Sequence, residues 1–400
     1  MQSIVNPALT DIPLQMQEDG STGPDFPSVS LLVINHNGKS KLGHLLDDCL
    51  ESLVKTSYPN FEILFVDNCS NDGTVEYVER VFGEYGIRVV RMPSNVGYTG
   101  AVNHALRLTK GSMVGVLNND ITAIDPYWLT TLVRFMQREP SVGIVSPALL
   151  HDEKRIDSMG GDANVLMVAW DAHSREEFSA TSDQPIFPMS PPGAAFLFRR
   201  GLAEKLDNEI FDSDYFAYYE DVLLGFQVTL MGQRVAVLPS TTLQHKRGGS
   251  WGLISPAKFF FQRRNAVWTG ITIFDTSQVL FLLPLWLLSN LYAGFVYFRM
   301  TRNSKFLLSP FRVIFSVLAG MGKAWSKHER FHQKNGSSAK ALNFSPTMIL
   351  GSEKLTFGRK LALAVSNFAI RFAGLSKFRI TEIKRYPLLD AEYLEKNYRT

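Results

Sequence analysis

Five short apolar runs alternate with segments of helical periodicity between residues 29 and 145 of this chain. The runs are Val29–Ile34, Glu62–Val66, Ile87–Met92, Met113–Leu117 and Val142–Val145. In the segments between them, apolar residues recur at the three- and four-residue spacing of a helix with one buried face. Strands that alternate with such helices build βαβ units, in which helices cover a parallel sheet on both faces. We therefore predict an α/β fold with a mostly parallel sheet.

Three of these runs end in side chains that bind metals or form hydrogen bonds. Asn35 follows the first strand, Asp67 and Asn68 follow the second, and Asn118–Asp120 follows the fourth. In an open parallel sheet, ligands bind beyond the carboxyl ends of the strands, so these residues are expected in one polar site. Oxygen ligands suit Mg²⁺ or Mn²⁺, and Asp120 is the candidate metal ligand. The alternative is ordinary turn chemistry at strand ends.

Two later segments carry further candidates. Glu220 and Asp221 begin a helix after an aromatic run, where a carboxylate can serve as a general base or can cap the helix. His245 opens a basic, glycine-rich loop to Ser250, which is expected either to contact a metal or phosphate or to be a solvated surface loop. Asp67 has two interpretations as well: a contact to a nucleotide base or ribose, or a turn before the next helix.

Composition limits the function classes. With 400 residues the chain can form one large domain plus an appendage, and its formal charge of +3 is too small to indicate nucleic-acid binding. The two cysteines, Cys49 and Cys69, are expected to be free thiols in a reducing compartment. Residues 1–27 are polar, contain four prolines and lack the apolar stretch of a signal peptide, so a mobile tail is expected there.

The character of the chain changes after residue 250. Gln278–Phe298 is 21 residues long without a charge, and a helix of that length spans about 30 Å. Phe311–Gly320 is a second, shorter apolar stretch. This pattern predicts attachment to a membrane, through one span, a hairpin or helices that lie in the interface. The alternative is a pair of helices buried in the protein.

The predicted organisation follows from these changes in pattern. It comprises a mobile tail at 1–27, an α/β domain at 28–250, a membrane-associated helical region at 251–330 and a basic, polar tail at 331–400. Within the α/β domain, His151–Gln184 is polar and has little periodicity. That segment is interpreted either as an excursion that faces the substrate or as a surface insertion.

Six stretches, in their order along the chain, resemble the family 2 glycosyltransferases of the GT-A type, and particularly the rhamnosyltransferase-like members. They lie between about Ser28 and Asn265, and they are Val29–Gly38 (VSLLVINHNG), Phe61–Gly73 (FEILFVDNCSNDG), Asn95–Gly111 (NVGYTGAVNHALRLTKG), Val116–Ile121 (VLNNDI), Gly193–Arg200 (GAAFLFRR) and Phe216–Gly232. The resemblance implies a GT-A fold, whose Rossmann-like half binds a nucleotide-sugar donor.

The resemblance also implies roles for individual residues. Asp120, in the family's Asp-x-Asp metal motif, and His245 would hold a divalent cation, Mg²⁺ or Mn²⁺. Asp221 matches the base that deprotonates the acceptor hydroxyl, and Glu220 beside it is the second catalytic candidate. Asp67 matches the acidic residue that contacts the nucleotide base. The full donor-binding set is Asn35, Asp67, Asn95, Gly97, Asn118 and Asn119.

This sequence departs from the family pattern in two places. The first acidic residue of the metal motif is replaced by Asn118, which removes one negative charge from the site. The Gln-x-x-Arg-Trp motif of processive synthases is absent, and the corresponding region reads FQRRN at Phe261–Asn265. The second departure favours the addition of one or a few sugars over the synthesis of a long homopolymer.

The functional prediction is an inverting glycosyltransferase at the cytoplasmic membrane, with its catalytic domain facing the cytosol. The expected donor is dTDP-rhamnose or a UDP-hexose, and the expected acceptor is a lipid-linked or surface glycan. The alternatives are a nucleotidyltransferase that makes an activated sugar and a non-catalytic, membrane-tethered protein that binds nucleotide sugars. Asn35–Lys39 is too sparse in glycine and cations for a nucleotidyltransferase signature. A dehydrogenase is disfavoured because no Gly-x-Gly-x-x-Gly follows the first strand.

Overall fold

The computed structural model describes residues 26–152, 154–179, 184–246, 254–335, 342, 344–350, 365–378 and 382–385. The tail expected at 1–27 therefore lies almost entirely outside the described residues, as do residues 247–250 of the basic loop and most of the tail expected at 331–400. Cys49 and Cys69 are both free thiols, as expected.

Strands and helices alternate along the first half of the chain, and helices dominate after residue 255. The strands are β1 (Val29–Asn35), β2 (Phe61–Asp67), β3 (Ile87–Arg91), β4 (Met113–Asn118), β5 (Ile121–Thr122), β6 (Val142–Leu150), β7 (Ile156–Ser158), β8 (Gly161–Ala163), β9 (Ala169–Asp171), β10 (Ala195–Arg199), β11 (Arg234–His245), β12 (Thr347–Leu350) and β13 (Glu382–Arg385). The helices are α1 (Gly38–Leu42), α2 (His44–Val54), α3 (Thr74–Phe82), α4 (Gly97–Arg107), α5 (Trp128–Arg138), α6 (Arg200–Lys205), α7 (Glu220–Leu230), α8 (Pro256–Ile273), α9 (Thr276–Thr301), α10 (Lys305–Ala319) and α11 (Met321–Asn335).

Nine of the described strands form one mixed sheet. Eight of them follow the order β3-β2-β1-β4-β10-β6-β11-β5, and β7 pairs with β6 off this path. β1 to β4 run parallel, as predicted, and β11 is parallel to β6. β10 runs antiparallel between β4 and β6, an arrangement that local sequence does not reveal because it depends on pairing between distant segments.

Both faces of the sheet are buried, as the nearly continuous apolar character of its strands predicts. Along β1, Leu31 and Val33 join the core on one face with α2 and α5, while Leu32 and Ile34 join the core on the other face with α4. The predicted α/β fold is therefore confirmed. The sheet brings the polar ends of β1, β2 and β4 to the same edge, because these three strands are parallel neighbours.

A third core joins the C-terminal helices to the α/β domain. It contains Phe226 of α7, Phe259 of α8, Phe274 between α8 and α9, and Trp286 of α9, all of which are buried. Among the described helices, α9 is long and apolar enough to cross a membrane. The helices α10 and α11, which are bent by 58° relative to each other, reach that length and apolar character only when taken together.

The segment His151–Gln184 contains three short strands. β7 extends the main sheet from β6, and β8 pairs with β9 in a separate hairpin. Asp157 of β7 and Trp170 and Asp171 of β9 line the cavity described below. Of the two interpretations of this segment, the structure thus matches the one in which it faces a site.

Candidate active site

A cavity of about 400 Å³ opens at the carboxyl ends of β1 and β4. Its other walls come from the β8–β9 hairpin, the first turns of α4 and α7, the end of β11, and one side of α8. Nine of the ten residues predicted from the sequence line this cavity: Asn35, Asn95, Gly97, Asn118, Asn119, Asp120, Glu220, Asp221 and His245.

Asp67, the tenth predicted residue, lies behind the cavity wall, and protein groups occupy its carboxylate. Its Oδ1 accepts hydrogen bonds from Asn35 Nδ2 at 2.8 Å and from the Ser70 hydroxyl, and its Oδ2 accepts one from the Ser70 N–H at 2.9 Å. Asn35 Oδ1 in turn accepts a hydrogen bond from Asn119 Nδ2 at 2.6 Å. Asp67 thus orients Asn35 and, through it, Asn119. This geometry matches the turn interpretation, and a contact to the nucleotide base stays a prediction.

The loop before α4 is held by Asn68, a residue to which the sequence assigned no specific role. Asn68 Oδ1 accepts a hydrogen bond from the Val96 N–H at 3.0 Å, and Asn68 Nδ2 donates to Asn95 Oδ1 at 3.0 Å and to the Gly97 carbonyl at 3.1 Å. Gly97 has a φ of 78°, and a Cβ there would lie 2.4 Å from the Phe216 carbonyl oxygen. This position therefore requires glycine for both its backbone angle and its close contact.

His245 lies between two buried carboxylates. Its Nε2 is 3.3 Å from Asp120 Oδ1, and its Nδ1 is 2.7 Å from Asp157 Oδ2. Burial alone would disfavour the charged imidazolium, but the charges of Asp120 and Asp157 outweigh it and raise the pKa of His245 to about 9. β5 and β11 create this arrangement, because their antiparallel pairing brings His245 beside Ile121, next to Asp120.

The same three residues bear on metal binding. In the part of the chain that the structure describes, no group of three or more His, Cys, Asp or Glu side chains could hold a metal ion. Asp120 and His245 nevertheless present two adjacent donor atoms, and Asp157 holds the second ring nitrogen of His245, as carboxylates do behind histidine ligands in metal sites. This donor set fits a divalent cation that takes its remaining ligands from a diphosphate and from water.

Glu220, which is buried, and Asp221, which is partly buried, form an acidic pair in the first turn of α7. Burial raises the pKa of Asp221, and the nearby Asp171 carboxylate adds to the shift, while a hydrogen bond from the Val222 N–H opposes it. Burial and the charge of Asp221 likewise raise the pKa of Glu220, whose Oε2 has no hydrogen-bond partner among the described residues. Carboxyl groups with raised pKa values in a cavity are suited to accept or donate protons.

An unusual turn precedes this acidic pair. Phe216, Tyr218 and Tyr219 all have positive φ angles, of 66°, 70° and 69°. Such angles cost free energy for residues with a side chain, of the order of 1–3 kcal/mol each, and persist where the surroundings impose them. All three residues line the cavity, so the turn brings its aromatic side chains and the acidic pair to the same site.

Asn265 of α8 imposes this conformation on the turn. Its side-chain amide, which is fully buried, donates to the carbonyl oxygens of Tyr215, Ala217 and Tyr218 at 3.0, 2.9 and 2.7 Å. The neighbouring Arg264 donates to the Tyr215 carbonyl oxygen at 2.9 Å. α8 therefore supports the turn that leads into Glu220 and Asp221.

Comparison with known proteins shows which family part of this architecture resembles. Residues 30–207 match the model of the family described as "Glycosyl transferase family 2". This match covers 178 of the 400 residues and indicates a family 2 glycosyltransferase domain in that segment. The matched segment contains β1 to β4 and the predicted donor-side residues, and it ends before Asp221 of α7 and His245 of β11.

Two curated relatives share this domain at moderate sequence identity. The O-antigen biosynthesis protein RfbC of Myxococcus xanthus is 27% identical over 235 residues, which cover 56% of this chain and 18% of that protein. The N-acetylglucosaminyl-diphospho-decaprenol L-rhamnosyltransferase of Mycobacterium tuberculosis is 26% identical over 235 residues, which cover 52% of this chain and 74% of that protein. The matched part of this chain spans less than half the length of several curated relatives.

A solved structure supports the fold of the glycosyltransferase domain. The crystal structure of GalNAc-T7 with UDP, GalNAc and Mn²⁺ matches with a TM-score of 0.51 and 14% sequence identity, and the match covers 74% of this chain and 58% of that chain. At this identity the likeness shows the GT-A fold and carries no information about the substrate.

The sequence did not point to two of the residues that support this site, Asp157 and Asn265, and it placed Asn68 in the polar site without a specific role. Asn68 follows Asp67 at a strand end, and that position was a usable signal. Asp157 lies in the segment without periodicity, and Asn265 acts on the backbone of a segment about 50 residues earlier in the chain. Neither of these two contacts has a local sequence signature.

Proposed function

We propose that this protein is an inverting glycosyltransferase that moves a sugar from a nucleotide-diphosphate donor to an acceptor hydroxyl. The observation that carries the proposal is the composition of one cavity. Asp221, a partly buried carboxylate with a raised pKa, shares that cavity with the pair of Asp120 and His245 and with the amides of Asn35 and Asn119. A base, a diphosphate site and a nucleotide-binding strand edge are the parts that such a transfer needs.

In this proposal, Asp221 accepts the proton of the acceptor hydroxyl. The hydroxyl oxygen then attacks the anomeric carbon from the face opposite the nucleoside diphosphate, and the bond from that carbon to the diphosphate oxygen breaks. One displacement inverts the configuration at the anomeric carbon. The raised pKa of Asp221 suits the role, because a base works best when its pKa lies near the operating pH.

Asp120 and His245 are the residues proposed to hold a divalent cation, Mg²⁺ or Mn²⁺. The cation would neutralise charge that develops on the diphosphate leaving group. Asp157 keeps the Nδ1 side of His245 occupied, so that Nε2 remains directed toward Asp120. Asn118 contributes no charge at this position, so Asp120 is the acidic residue of the motif that remains.

Asn35, Asn95, Gly97, Asn118 and Asn119 are proposed to contact the donor. The family and the rhamnosyltransferase relative favour dTDP-rhamnose or a UDP-hexose as the donor. That relative, an N-acetylglucosaminyl-diphospho-decaprenol L-rhamnosyltransferase, also favours a lipid-linked or surface glycan as the acceptor. We accordingly place the protein at the cytoplasmic membrane, with its catalytic domain facing the cytosol.

A panel of nucleotide sugars tests the proposal. The purified protein is incubated with each nucleotide sugar and Mg²⁺ or Mn²⁺, and nucleoside diphosphate release is measured together with the anomeric configuration of the product. We expect metal-dependent release with at least one donor and an inverted product. Release of pyrophosphate from a nucleoside triphosphate would indicate a nucleotidyltransferase, and tight donor binding without turnover would indicate a binding protein.

A further inference from the structure

The helix α9 has its polar residues inside and its apolar residues outside. The side that packs against the protein carries Gln278, Asn290 and Gly294, all buried, alongside Leu282 and Trp286. The opposite side is apolar from Leu280 to Phe295 and has no charged residue before Arg299. A helix at the surface of a water-soluble domain shows the reverse pattern, with its apolar stripe inward.

α10 extends the apolar side of α9 into a broad surface. The two helices approach closely where Gly294 meets Pro310, since a Cβ on Gly294 would lie 2.2 Å from Pro310 Cγ. We call the joint surface the apolar plate and define it by six side chains with exposures from 54% to 75%: Leu280, Leu288, Phe295, Leu308, Phe311 and Phe315. A contiguous apolar surface of this kind marks an interaction site.

The short helix over residues 365–372 continues the plate on the other side of α9. Phe281 of α9 and Phe372 contact each other, with ring centroids 6.2 Å apart, and Phe372 packs on Phe368 at 4.5 Å. Phe368 and Phe372 remain more than half exposed. Three helical segments thus present aromatic and leucine side chains on one side of the molecule.

The charges around the plate favour one kind of partner. Residues 276–328 contain no aspartate or glutamate, whereas Arg299, Arg302, Lys305 and Arg312 are all exposed on α9, α10 and the link between them. Basic residues at the border of an apolar surface are attracted to anionic lipid headgroups. A second copy of the chain would bring the same cations together, because a two-fold interface joins identical patches.

Contacts on the inner side of α9 determine how it can meet a bilayer. Arg263 of α8 donates to Asn290 Oδ1 at 2.8 Å and to Ser289 Oγ at 2.9 Å, and Trp286 packs against Phe274 with ring centroids 5.7 Å apart. α8 also lines the cavity through Lys258 and Gln262, so it belongs to the water-exposed domain. A helix with that domain along one side cannot be surrounded by hydrocarbon.

We propose that the apolar plate docks this protein in the plane of an anionic bilayer, with α9 and α10 lying in the interface and not crossing it. The proposal rests on the proposed function for one point alone, namely that the acceptor is attached to lipid. Docking through the plate would hold α8, and with it one wall of the cavity, beside the membrane surface from which such an acceptor is supplied.

Binding to vesicles tests the docking surface. The full-length protein is sedimented with phosphatidylcholine vesicles, with or without about 30% phosphatidylglycerol. We expect stronger binding to the anionic vesicles and a loss of about tenfold or more for Phe311→Gln with Phe315→Gln, since two apolar side chains no longer enter the interface. The matched control is Ile124→Gln with Tyr127→Gln, two exposed side chains of the α/β domain that lie outside the plate, and its binding should equal that of the wild type.

Three results would overturn this docking surface. These are equal binding of the plate variant and the wild type, equal binding to neutral and anionic vesicles, or a concentration-dependent dimer that the plate substitutions abolish while vesicle binding is absent. Donor turnover in detergent separates this proposal from the proposed function. Donor turnover should be unchanged in the plate variant. If the wild type binds vesicles but shows no turnover, the enzyme assignment fails and the docking surface stands.

Thiol labelling distinguishes lying in the interface from spanning. Ser277→Cys and Ser304→Cys, both exposed positions flanking the apolar length of α9, are made separately in a Cys69→Ser background and bound to sealed vesicles from outside. A membrane-impermeant maleimide should label both sites. Protection of one site until the vesicles are lysed would show that α9 crosses the bilayer, and would overturn the in-plane arrangement.

Discussion

At the scale of single residues, the acidic pair of Glu220 and Asp221 predicts how turnover depends on pH. Only ionised Asp221 can accept a proton, and burial raises its pKa. The rising limb of the pH profile of turnover should therefore lie at a higher pH than the usual pKa of an aspartate. Glu220→Gln removes a neighbouring negative charge, so the limb should move to lower pH. Profiles of kcat against pH for both proteins measure this shift. A limb that moves to higher pH in the variant would contradict the pairing.

Asp157 predicts an effect on metal affinity. Asp157→Asn removes one of the two carboxylates that hold His245, so the histidine should be less well oriented and its pKa should fall below about 9. Loss of such a supporting carboxylate weakens metal binding by about 10- to 100-fold. Mn²⁺ titration followed by electron paramagnetic resonance measures the affinity, and NMR of the His245 ring measures the pKa. An unchanged affinity together with an unchanged pKa would remove Asp157 from the site.

Gly97 predicts a difference between two glycine substitutions. At Gly97 the φ of 78° and the Phe216 carbonyl oxygen both oppose a side chain, so Gly97→Ala should lower the free energy of unfolding by at least about 2 kcal/mol. Gly83 is the matched control, because its φ is −59° and no atom lies within 4 Å of a Cβ built there. Gly83→Ala should be neutral or slightly stabilising. Urea unfolding of both variants gives the comparison, and equal effects would contradict it.

Part of the site could be predicted from residue types that follow strands. Asn35, Asn118 and Asp120 were predictable because parallel strands carry their carboxyl ends to one edge, and the structure brings all three to the cavity. Asp67 follows the same pattern, but in the structure its carboxylate accepts hydrogen bonds from protein groups. Its hydrogen bonds to Ser70 and Asn35 satisfy the carboxylate inside the protein, and sequence cannot distinguish the two outcomes.

At the scale of elements, α8 predicts a link between helix packing and the turn that precedes Glu220. Asn265→Leu preserves most of the side-chain volume but removes the donor of three backbone carbonyl groups in the turn. The Tyr215 carbonyl keeps its hydrogen bond from Arg264. The Ala217 and Tyr218 carbonyls lose this buried partner at about 1–3 kcal/mol each, so unfolding should become easier by a few kcal/mol, with kcat reduced. Calorimetry and steady-state kinetics measure the two effects. Wild-type stability and kcat would show that the turn does not depend on Asn265.

The elements themselves were predictable to different degrees. The strands and helices up to residue 145 follow from local periodicity, since each apolar run is long enough to identify. The antiparallel insertion of β10 between β4 and β6 was not predictable, because the partners lie about 50 to 80 residues away in the chain. The three strands β7 to β9 are each three residues long, which is too short for a periodic signal.

At the scale of the whole molecule, the α/β domain and the C-terminal helices meet in α8. This helix contacts the turn before Glu220 through Asn265, the cavity through Lys258 and Gln262, and α9 through Arg263. The change in sequence character after residue 250 predicted a separate helical region. The packing of α8 was not foreseeable, because the apolar pattern of a helix does not identify its partner. The structure thus connects the proposed membrane surface directly to the proposed active site.

The central claim is that Asp221 is the base of a glycosyl transfer, and single-turnover kinetics of Asp221→Asn test it most directly. With a donor and acceptor identified from the panel, the rate of sugar transfer should fall by about 10²–10⁴-fold, the usual contribution of a general base, because the amide cannot accept the proton. Donor affinity should stay within a few-fold of the wild type. A variant that transfers sugar at the wild-type rate would contradict the account.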